Sequence, residues 1–587
     1  MADATRGVAC TDSRRVEGAT GHVRKRLDST HLHPAPPLII QAMTPLQTPP
    51  TDDVCYLAFK ARDARFDGCF FTGVTSTGIY CRPVCHVRTA KRENCRFFAY
   101  AAQAEQAGFR PCLRCRPELA PRAPALAHSP ESRVWSMQDA SSILALQAAR
   151  LLEASEAWGP GAPALQQLAL RLGVSDRHLR RIFNAQFGVS PLHYLQTQRL
   201  LRAKQLLTDT TLAVTQVAAL SGFASVRRFN AAFVRHYRLN PSALRRSSAQ
   251  ADGAPPRRTA RPSASQNSVT VRLGYRPPFD TEAIMHFFKS HVMAGSEFVT
   301  TDPATGISLM GMTCRLPTGN STAANHRDGA IGWATGWLSA WFDTTSSQLV
   351  LQVSDSLCVV LPDVIRCVRD LFDLDAEPAA INQLLHAPFP TGDGLRVPGA
   401  LSGFELAVRA ILGQQITVAA ARTVAQRLVT ALGEPIETPW PALNRVFPAP
   451  AQLRDTSAER SNLLGGLGII RQRQAAIAAL AQAVASGQLV LGSRADVPTT
   501  VTALKALPGV GDWTAQYIAM RALRWPDAFP AGDVALHKTL GVQGHKHPAR
   551  LAEAASTAWK PWRSYAVIRV WSGAWRGPDK PLETTAQ

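Results

Sequence analysis

Residues 504–523 read LKALPGVGDWTAQYIAMRAL, in which Gly509 and Gly511 bracket Val510 between two apolar segments. Glycine lets a chain turn sharply and leaves its backbone amides open to an anion that a side chain would obstruct, so a DNA phosphate suits such a turn. A Gly-x-Gly pair alone is a weak signal. Asp533 follows Gly511 by 22 residues, in FPAGDVALHK, and adds a carboxylate to the pattern. The competing reading of Asp533 is a solvated or helix-capping residue. Which reading holds decides the fold of the C-terminal part, and the rest of the chain bears on it.

The chain has 587 residues, 46% hydrophobic and 18% charged, enough for several buried cores and too many for one domain. No apolar run approaches the roughly 20 residues of a membrane helix, and PPLII at 36–40 is too short for a signal-peptide core. A cytoplasmic, nucleoid-associated protein without membrane partners is expected. The 64 Lys and Arg against 43 Asp and Glu give a net charge of +21, which makes nucleic acid the first partner to consider. A solvated basic surface or basic tail is the alternative.

Residues 1–50 mix Arg, Pro, Thr and His without apolar periodicity and read as a disordered basic extension, with Met43 as an alternative start. Stretches rich in Ala, Pro and Ser near 120–132 and at 247–268 read as linkers. The modules between them are expected at 51–120, 132–246, 269–390 and 391–580.

The first module holds Cys81 and Cys85 in TGIYCRPVC and, beyond them, Cys112 and Cys115 in GFRPCLRCRP. Thiols three or four residues apart on a turn can share an ion, and two such pairs fit a tetrahedral site of four thiolates. An odd count of 11 cysteines in a cytosolic chain makes a disulfide framework the weakest explanation. Soft sulfur ligands favour Zn2+, with an iron-sulfur cluster as rival; Cys55, Cys69 and Cys95 are alternative ligands not paired at short spacing. The string from RDARFDGCFF to GFRPCLRCRP closely resembles the N-terminal zinc module of Ada-type methylation-response proteins. That resemblance implies that Cys81 is both ligand and acceptor of a methyl group from DNA methylphosphotriesters. A zinc site that only clips the module together is the plainer alternative. Arg82, Arg88, Lys91, Arg92, Arg110 and Arg114 are candidate phosphate contacts.

In the second module, SDRHLRRIFNAQFGVSP at 175–191 recurs as SVRRFNAAFVRHYRLNP at 225–241. Ser175 and Ser225, Leu179 and Phe229, Phe183 and Phe233, and Pro191 and Pro241 match at an offset of 50. Each copy follows a short helix, a Gly-containing turn and a Ser N-cap, which is a doubled helix-turn-helix, joined by a helix from near Pro191. The module resembles the AraC/XylS-type DNA-binding domain. Residues 131–246 carry 15 Lys and Arg against 6 Asp and Glu, which favours DNA. Arg177, Arg180 and Arg181 in one copy, beside Asp176 and His178, and Arg227 and Arg228 in the other, are the expected contacts. The apolar repeats are expected core.

The third module returns to the hairpin. Together with Asp533, the ending AWKPWRSYAVIRVW and the earlier FELAVRAILGQQITVAAA, it resembles the helix-hairpin-helix glycosylases of the AlkA 3-methyladenine type, from about 271 to 577. The resemblance implies Asp533 as the catalytic carboxylate and Trp513, Tyr517, Trp571 and Phe287 as pocket aromatics. It also implies Gly509, Gly511, Gln414 and Gln415 at the DNA. Trp513 stands where strand-cutting relatives place a lysine, so no Schiff base is expected. Two departures are Gln415, where the prototype wedges a leucine into the stack, and Val534, which replaces a tyrosine. Residues 271 to about 390, with the alternating LVLQV at 349–353 and a helix expected over 362–373, resemble the accessory sheet domain of those enzymes.

The expected fold is multidomain and mainly α with α+β parts: a small zinc-bound α/β module, an all-α double helix-turn-helix domain, a sheet-containing accessory domain and an all-α helix-hairpin-helix glycosylase domain. The expected function joins excision of alkylated purines, methyl transfer to Cys81 and methylation-responsive transcription regulation. Double-stranded DNA and RNA polymerase are the expected partners. A regulator with an inactive glycosylase domain is the alternative, and a glycosylase merely targeted by its other modules is a third reading. No Pro-Cys-His-Arg string occurs, so methylguanine repair is not expected.

Overall fold

A computed structural model describes residues 51–62, 66–85, 87–120, 137–153, 165–210, 212–245, 268–318, 332–493 and 495–574. The extension expected at 1–50 lies outside them, as do the linkers expected near 120–132 and at 247–268 apart from their end residues Ala120 and Ser268. Among the described residues no helix is long and apolar enough to cross a membrane.

The first module opens with α1 (Asp52–Ala61) and a four-stranded sheet in the order β3-β1-β2-β4, formed by β1 (Phe71–Val74), β2 (Ile79–Cys81), β3 (Cys95–Phe98) and β4 (Arg110–Pro111), with α2 (Ala101–Gln106) between the last two. Strand β2 ends on Cys81, and β4 lies parallel to it with Tyr80 opposite Pro111. The Cys112 amide then donates to Tyr80 O at 2.9 Å. Strand pairing therefore brings together two cysteine pairs that the chain separates by 26 residues.

Helices α3 (Met137–Glu153), α4 (Leu165–Arg171), α5 (Asp176–Phe187), α6 (Pro191–Asp209), α7 (Val214–Leu220) and α8 (Val226–Tyr237) follow. The repeat is structural: α5 and α8 each have 12 residues, and Ser175 and Ser225 accept from the amides of His178 and Arg228. Leu179, Phe183, Phe229 and Phe233 are fully buried, as their helical spacing requires, and each adds on the order of 1.5–3 kcal/mol.

The accessory part is a five-stranded sheet in the order β5-β9-β8-β7-β6, from β5 (Ser268–Gly274), β6 (Glu297–Thr301), β7 (Ser308–Pro317), β8 (Trp333–Asp343) and β9 (Gln348–Ser354). Helix α9 (Thr281–His291) follows β5, and α10 (Leu361–Phe372) matches the expected helix within a residue. Strand β9, interior in the sheet between β5 and β8, is buried on both faces, Val350 and Gln352 included, so the alternation of LVLQV does not mark a solvent face. The sheet shares one continuous core with the preceding module: Leu200, Ala203, Leu207, Phe229 and Tyr237 pack in the same cluster as Val271, Leu351, Ile365 and Phe372. A linker in the sequence does not here divide two cores.

The remaining helices are α11 (Pro378–Leu385), α12 (Gly403–Leu412), α13 (Val418–Leu432), α14 (Pro450–Leu453), α15 (Ala458–Gly466), α16 (Arg471–Ala485), α17 (Val497–Lys505), α18 (Asp512–Arg521), α19 (Val534–Thr539), α20 (Pro548–Ala555) and α21 (Arg563–Trp571). Helix α12, buried at Phe404, Leu406, Val408 and Ile411, lies at the centre of one core with α16 and α18. Ile381, Leu385 and Phe389 pack instead with Met520, Phe529, Leu536 and Val567. Helix α11 thus belongs to the core of the C-terminal helices, ahead of the boundary expected at 390.

Candidate functional site

Asp533 is the N-cap of α19, with Oδ1 accepting from the Leu536 amide at 3.0 Å. The capping reading is therefore true, but it does not exhaust the residue. The Trp571 indole N–H donates to Oδ1 at 3.1 Å and the Trp513 indole to Oδ2 at 3.2 Å. A carboxylate that only caps a helix needs one donor; this one is gripped by three, from α18, α19 and α21, and its plane is fixed between two aromatic side chains.

The expected pocket aromatics converge there. Trp513 stacks on Tyr517 with centroids 5.2 Å apart and an interplanar angle of 14°, and Trp571 lies 6.4 Å from Tyr517. Phe287 reaches the group from α9 through a buried cation: the Arg521 guanidinium sits 4.9 Å from the Phe287 centroid and 5.3 Å from that of Tyr517. Phe287 also stacks on His291, with centroids 4.2 Å apart. Burial, followed by the charge of Arg521, pushes the His291 imidazole down to about 4, so it is neutral at pH 7. Sequence reading missed Arg521, although its i,i+4 spacing from Tyr517 on α18 was the available sign.

The hairpin between α17 and α18 has the backbone its glycines imply. Gly509 has φ of +72°, while Gly511 is extended, caps α18 and has open space where a Cβ would stand. Gln415, with φ of +57°, is exposed on the loop before α13, in the place where the prototype's wedge was expected. Gln414, also expected at the DNA, is partly exposed beside the hairpin. Its amide donates to Gly509 O at 2.9 Å and to Thr514 Oγ1 at 3.0 Å, which ties the loop before α13 to the hairpin. Gly509→Ala is expected to cost about 1–2 kcal/mol through its left-handed φ and to weaken binding to undamaged duplex DNA, as read by thermal melts and fluorescence anisotropy.

Four sulfurs, those of Cys81, Cys85, Cys112 and Cys115, lie within 4.8 Å of one another. A tetrahedral zinc with Zn–S bonds of about 2.3 Å separates its sulfurs by about 3.8 Å, so the cluster fits that ion. Cys55, Cys69 and Cys95 are not part of it. Cys81, Cys85 and Cys112 are buried and Cys115 is partly exposed, so the expected acceptor is not the most exposed of the four. The Arg82 amide donates to Cys115 Sγ at 3.4 Å.

Arg82 corrects an expectation. It is no phosphate contact: its side chain is 1% exposed, doubly bonded to Asp67, and its Nη1 donates to Cys115 O at 3.1 Å. Glu377, at the start of α11, lies 3.5 Å from it and also pairs with Arg276 at 3.1 Å. Arg88 and Arg114 are exposed and stay available to DNA. The module is further keyed to α6 by Lys204–Glu118 at 2.7 Å and Arg116–Asp209 at 2.9 Å. Arg82→Ala leaves the Asp67 carboxylate buried without its cation and is expected to destabilise the module by about 3–5 kcal/mol, measured as earlier proteolysis and loss of bound zinc.

On the helix-turn-helix face Arg177, Arg180, Arg181, Arg227 and Arg228 are all exposed at the start of α5 and α8. Arg180 pairs with Asp176 at 3.0 Å and Arg181 meets His178 Nδ1 at 3.1 Å, so in the first copy these side chains are already oriented by their neighbours.

Comparison with known proteins matches this order of parts. Residues 54–118 match the metal binding domain of Ada, 168–247 a helix-turn-helix domain, 270–402 the AlkA N-terminal domain and 408–563 the HhH-GPD superfamily of base excision DNA repair proteins. A Mycobacterium tuberculosis (strain H37Rv) protein named "probable bifunctional transcriptional activator/DNA repair enzyme AlkA" is 35% identical over 525 residues, covering 88% of this chain and 95% of its own length. The chain belongs to this Ada–AlkA family. Its halves are also similar to separate proteins of Escherichia coli K12. DNA-3-methyladenine glycosylase 2 is 30% identical over 52% of the chain and 99% of its own length. The bifunctional transcriptional activator/DNA repair enzyme Ada is 35% identical over 28% of the chain and 42% of its own length. As an Ada–AlkA protein the chain is multidomain, carries a zinc-binding module and has DNA-binding parts of two kinds, the helix-turn-helix and the helix-hairpin-helix.

Proposed function

We propose that this Ada–AlkA protein releases alkylated purines at Asp533 and takes a methyl group from DNA methylphosphotriesters onto Cys81, and that the second event raises its affinity for promoter DNA. The observation that carries the glycosylase reading is the Asp533 carboxylate held by Trp513 and Trp571 beside the Tyr517 ring. When the bond between the sugar C1′ and the base breaks, its electron pair leaves with the base. The sugar becomes cationic, and a fixed carboxylate stabilises that charge without having to reorganise. Gly509 and Gly511 hold the backbone phosphate, and exposed Gln415 enters the stack as the base turns out.

In the zinc module, bound zinc would keep the sulfurs deprotonated at neutral pH. Cys81 Sγ attacks the methyl carbon of the uncharged triester, the carbon–oxygen bond breaks, and its electron pair stays on the phosphate oxygen. The sulfur becomes a neutral thioether and the site loses one negative charge, which favours DNA at Arg88 and Arg114. Arg177, Arg180, Arg181, Arg227 and Arg228 then engage promoter DNA, with RNA polymerase as the partner that reads the complex. We place the protein in the cytoplasm, associated with the nucleoid.

The test is base release from methylated duplex DNA by the purified full chain. Free alkylpurines should appear without strand scission, and borohydride should trap no covalent complex, since Trp513 occupies the lysine position. Failure to release any alkylated base would leave only the regulatory reading.

A further inference from the structure

We propose that the Tyr517 hydroxyl, held by Arg521, donates a hydrogen bond to the departing base, and that this pair sets how well the site releases purines that carry no positive charge. The inference rests on the reading of the Asp533 pocket given above and assigns the pocket a second function besides stacking.

Arg521 is 6% exposed, and its guanidinium is fully directed. Nε donates to Pro398 O at 2.8 Å, Nη2 to Gly399 O at 3.0 Å, and Nη1 to the Tyr517 hydroxyl oxygen. Two backbone carbonyls therefore fix the cation, and the cation fixes the phenol. Because the phenol oxygen accepts from Arg521, its own proton is free for another partner, and no acceptor for it is present among the described residues. A hydroxyl whose oxygen is bound by a guanidinium is a stronger donor than a free phenol, since the cation draws electron density away from the O–H bond.

The same cation changes what the aromatic rings can do. Stacking against Tyr517 or Phe287 should favour a cationic alkylpurine through the ring quadrupole. Arg521 already lies against both rings, at 5.3 and 4.9 Å, so a cationic base brought beside them meets a fixed like charge. The pocket discriminates for cations less than its count of aromatics implies.

A neutral lesion faces the opposite problem. A cationic base leaves as a neutral molecule, and water then supplies hydroxide to C1′ and a proton to solvent. A neutral base takes the bonding pair and leaves with a negative charge until it accepts the second proton of that water. A polarised O–H beside the departing base offsets this charge at a ring nitrogen or carbonyl oxygen, and the Arg521 charge supports it. Tyr517 is then a catalytic donor, and Arg521 is a positioning residue that acts through it.

The experiment measures single-turnover release by the full-length protein from matched duplexes holding one hypoxanthine, which is neutral, or one 7-methylguanine, which is cationic. Tyr517→Phe keeps the ring and removes the donor; Arg521→Met removes the cation. Each variant is expected to lower the ratio of hypoxanthine to 7-methylguanine release roughly 10- to 100-fold. Arg521→Lys, which keeps a charge and a donor, should retain more of the ratio than Arg521→Met. A defect of folding lowers both rates together and leaves the ratio where it was, so an unchanged ratio in Tyr517→Phe overturns the proposal. Release of 7-methylguanine but never of hypoxanthine by the unaltered protein also overturns it, while the glycosylase reading stands. Release of neither base removes the glycosylase reading itself.

Discussion

Asp533→Asn is expected to slow release of alkylated purines from methylated DNA by roughly 10³-fold, the scale on which removing one preorganised electrostatic partner of a transition state acts. The substitution is nearly isosteric, and its structural consequences are small and countable. The side-chain oxygen of asparagine can still accept from the Leu536 amide and the Trp571 indole, which both bond Oδ1. Asparagine also caps helices about as well as aspartate. Only the Trp513 indole, at 3.2 Å from Oδ2, would face an N–H group in place of an acceptor, a loss of about 1 kcal/mol. Stability and activity are thereby separated: a melting temperature close to that of the parent protein should accompany a thousandfold loss of rate. Retention of the rate within tenfold would show that Asp533 is the helix cap it also is, and nothing more.

The zinc-loaded protein should take up one methyl group from methylphosphotriester DNA, located by peptide mass on Cys81, and Cys81→Ser should take up none. The experiment has a real competitor inside the cluster, because Cys115 is the partly exposed ligand and Cys81 is buried. Solvent exposure alone therefore favours Cys115. Against it, Cys115 Sγ accepts the Arg82 amide at 3.4 Å, and a sulfur that shares its electron density with a donor is a poorer nucleophile. A methyl on Cys115 would reassign the acceptor; an unmodified, zinc-replete cluster would reduce the site to a structural clip. If Cys81 is the acceptor, promoter affinity should rise on methylation and fall with salt more steeply than that of the unmethylated protein, because one repulsive charge, which salt would otherwise screen, has gone.

Much of this architecture was legible in the sequence. The cysteine spacings, the serine caps 50 residues apart and the glycine turn each concern groups within a few residues of one another, where backbone geometry dictates the outcome. Leu179, Phe183, Phe229 and Phe233 are core because helical periodicity leaves them no other face. The errors have a common origin. Arg82 beside a candidate acceptor cysteine in a basic chain reads as a phosphate contact, and nothing within its own segment announces Asp67 or, 295 residues away, Glu377. The protein partners of Gln414, Gly509 and Thr514, are likewise far along the chain and were not legible from its own segment.

By itself, then, the sequence determined the kinds of module and their order, and it offered the candidate nucleophile, ligands and carboxylate, since residue identity and short spacing settle which such groups exist. Only the tertiary structure decided how each is used. It joined the helix-turn-helix and sheet cores across a linker, closed two indoles on Asp533 and set Arg521 against Tyr517 and Phe287. The physical reason is range. A buried charge or hydrogen-bonding group answers to whatever lies within about 4 Å of it, and those neighbours are brought there by folding from segments whose own patterns carry no record of the meeting.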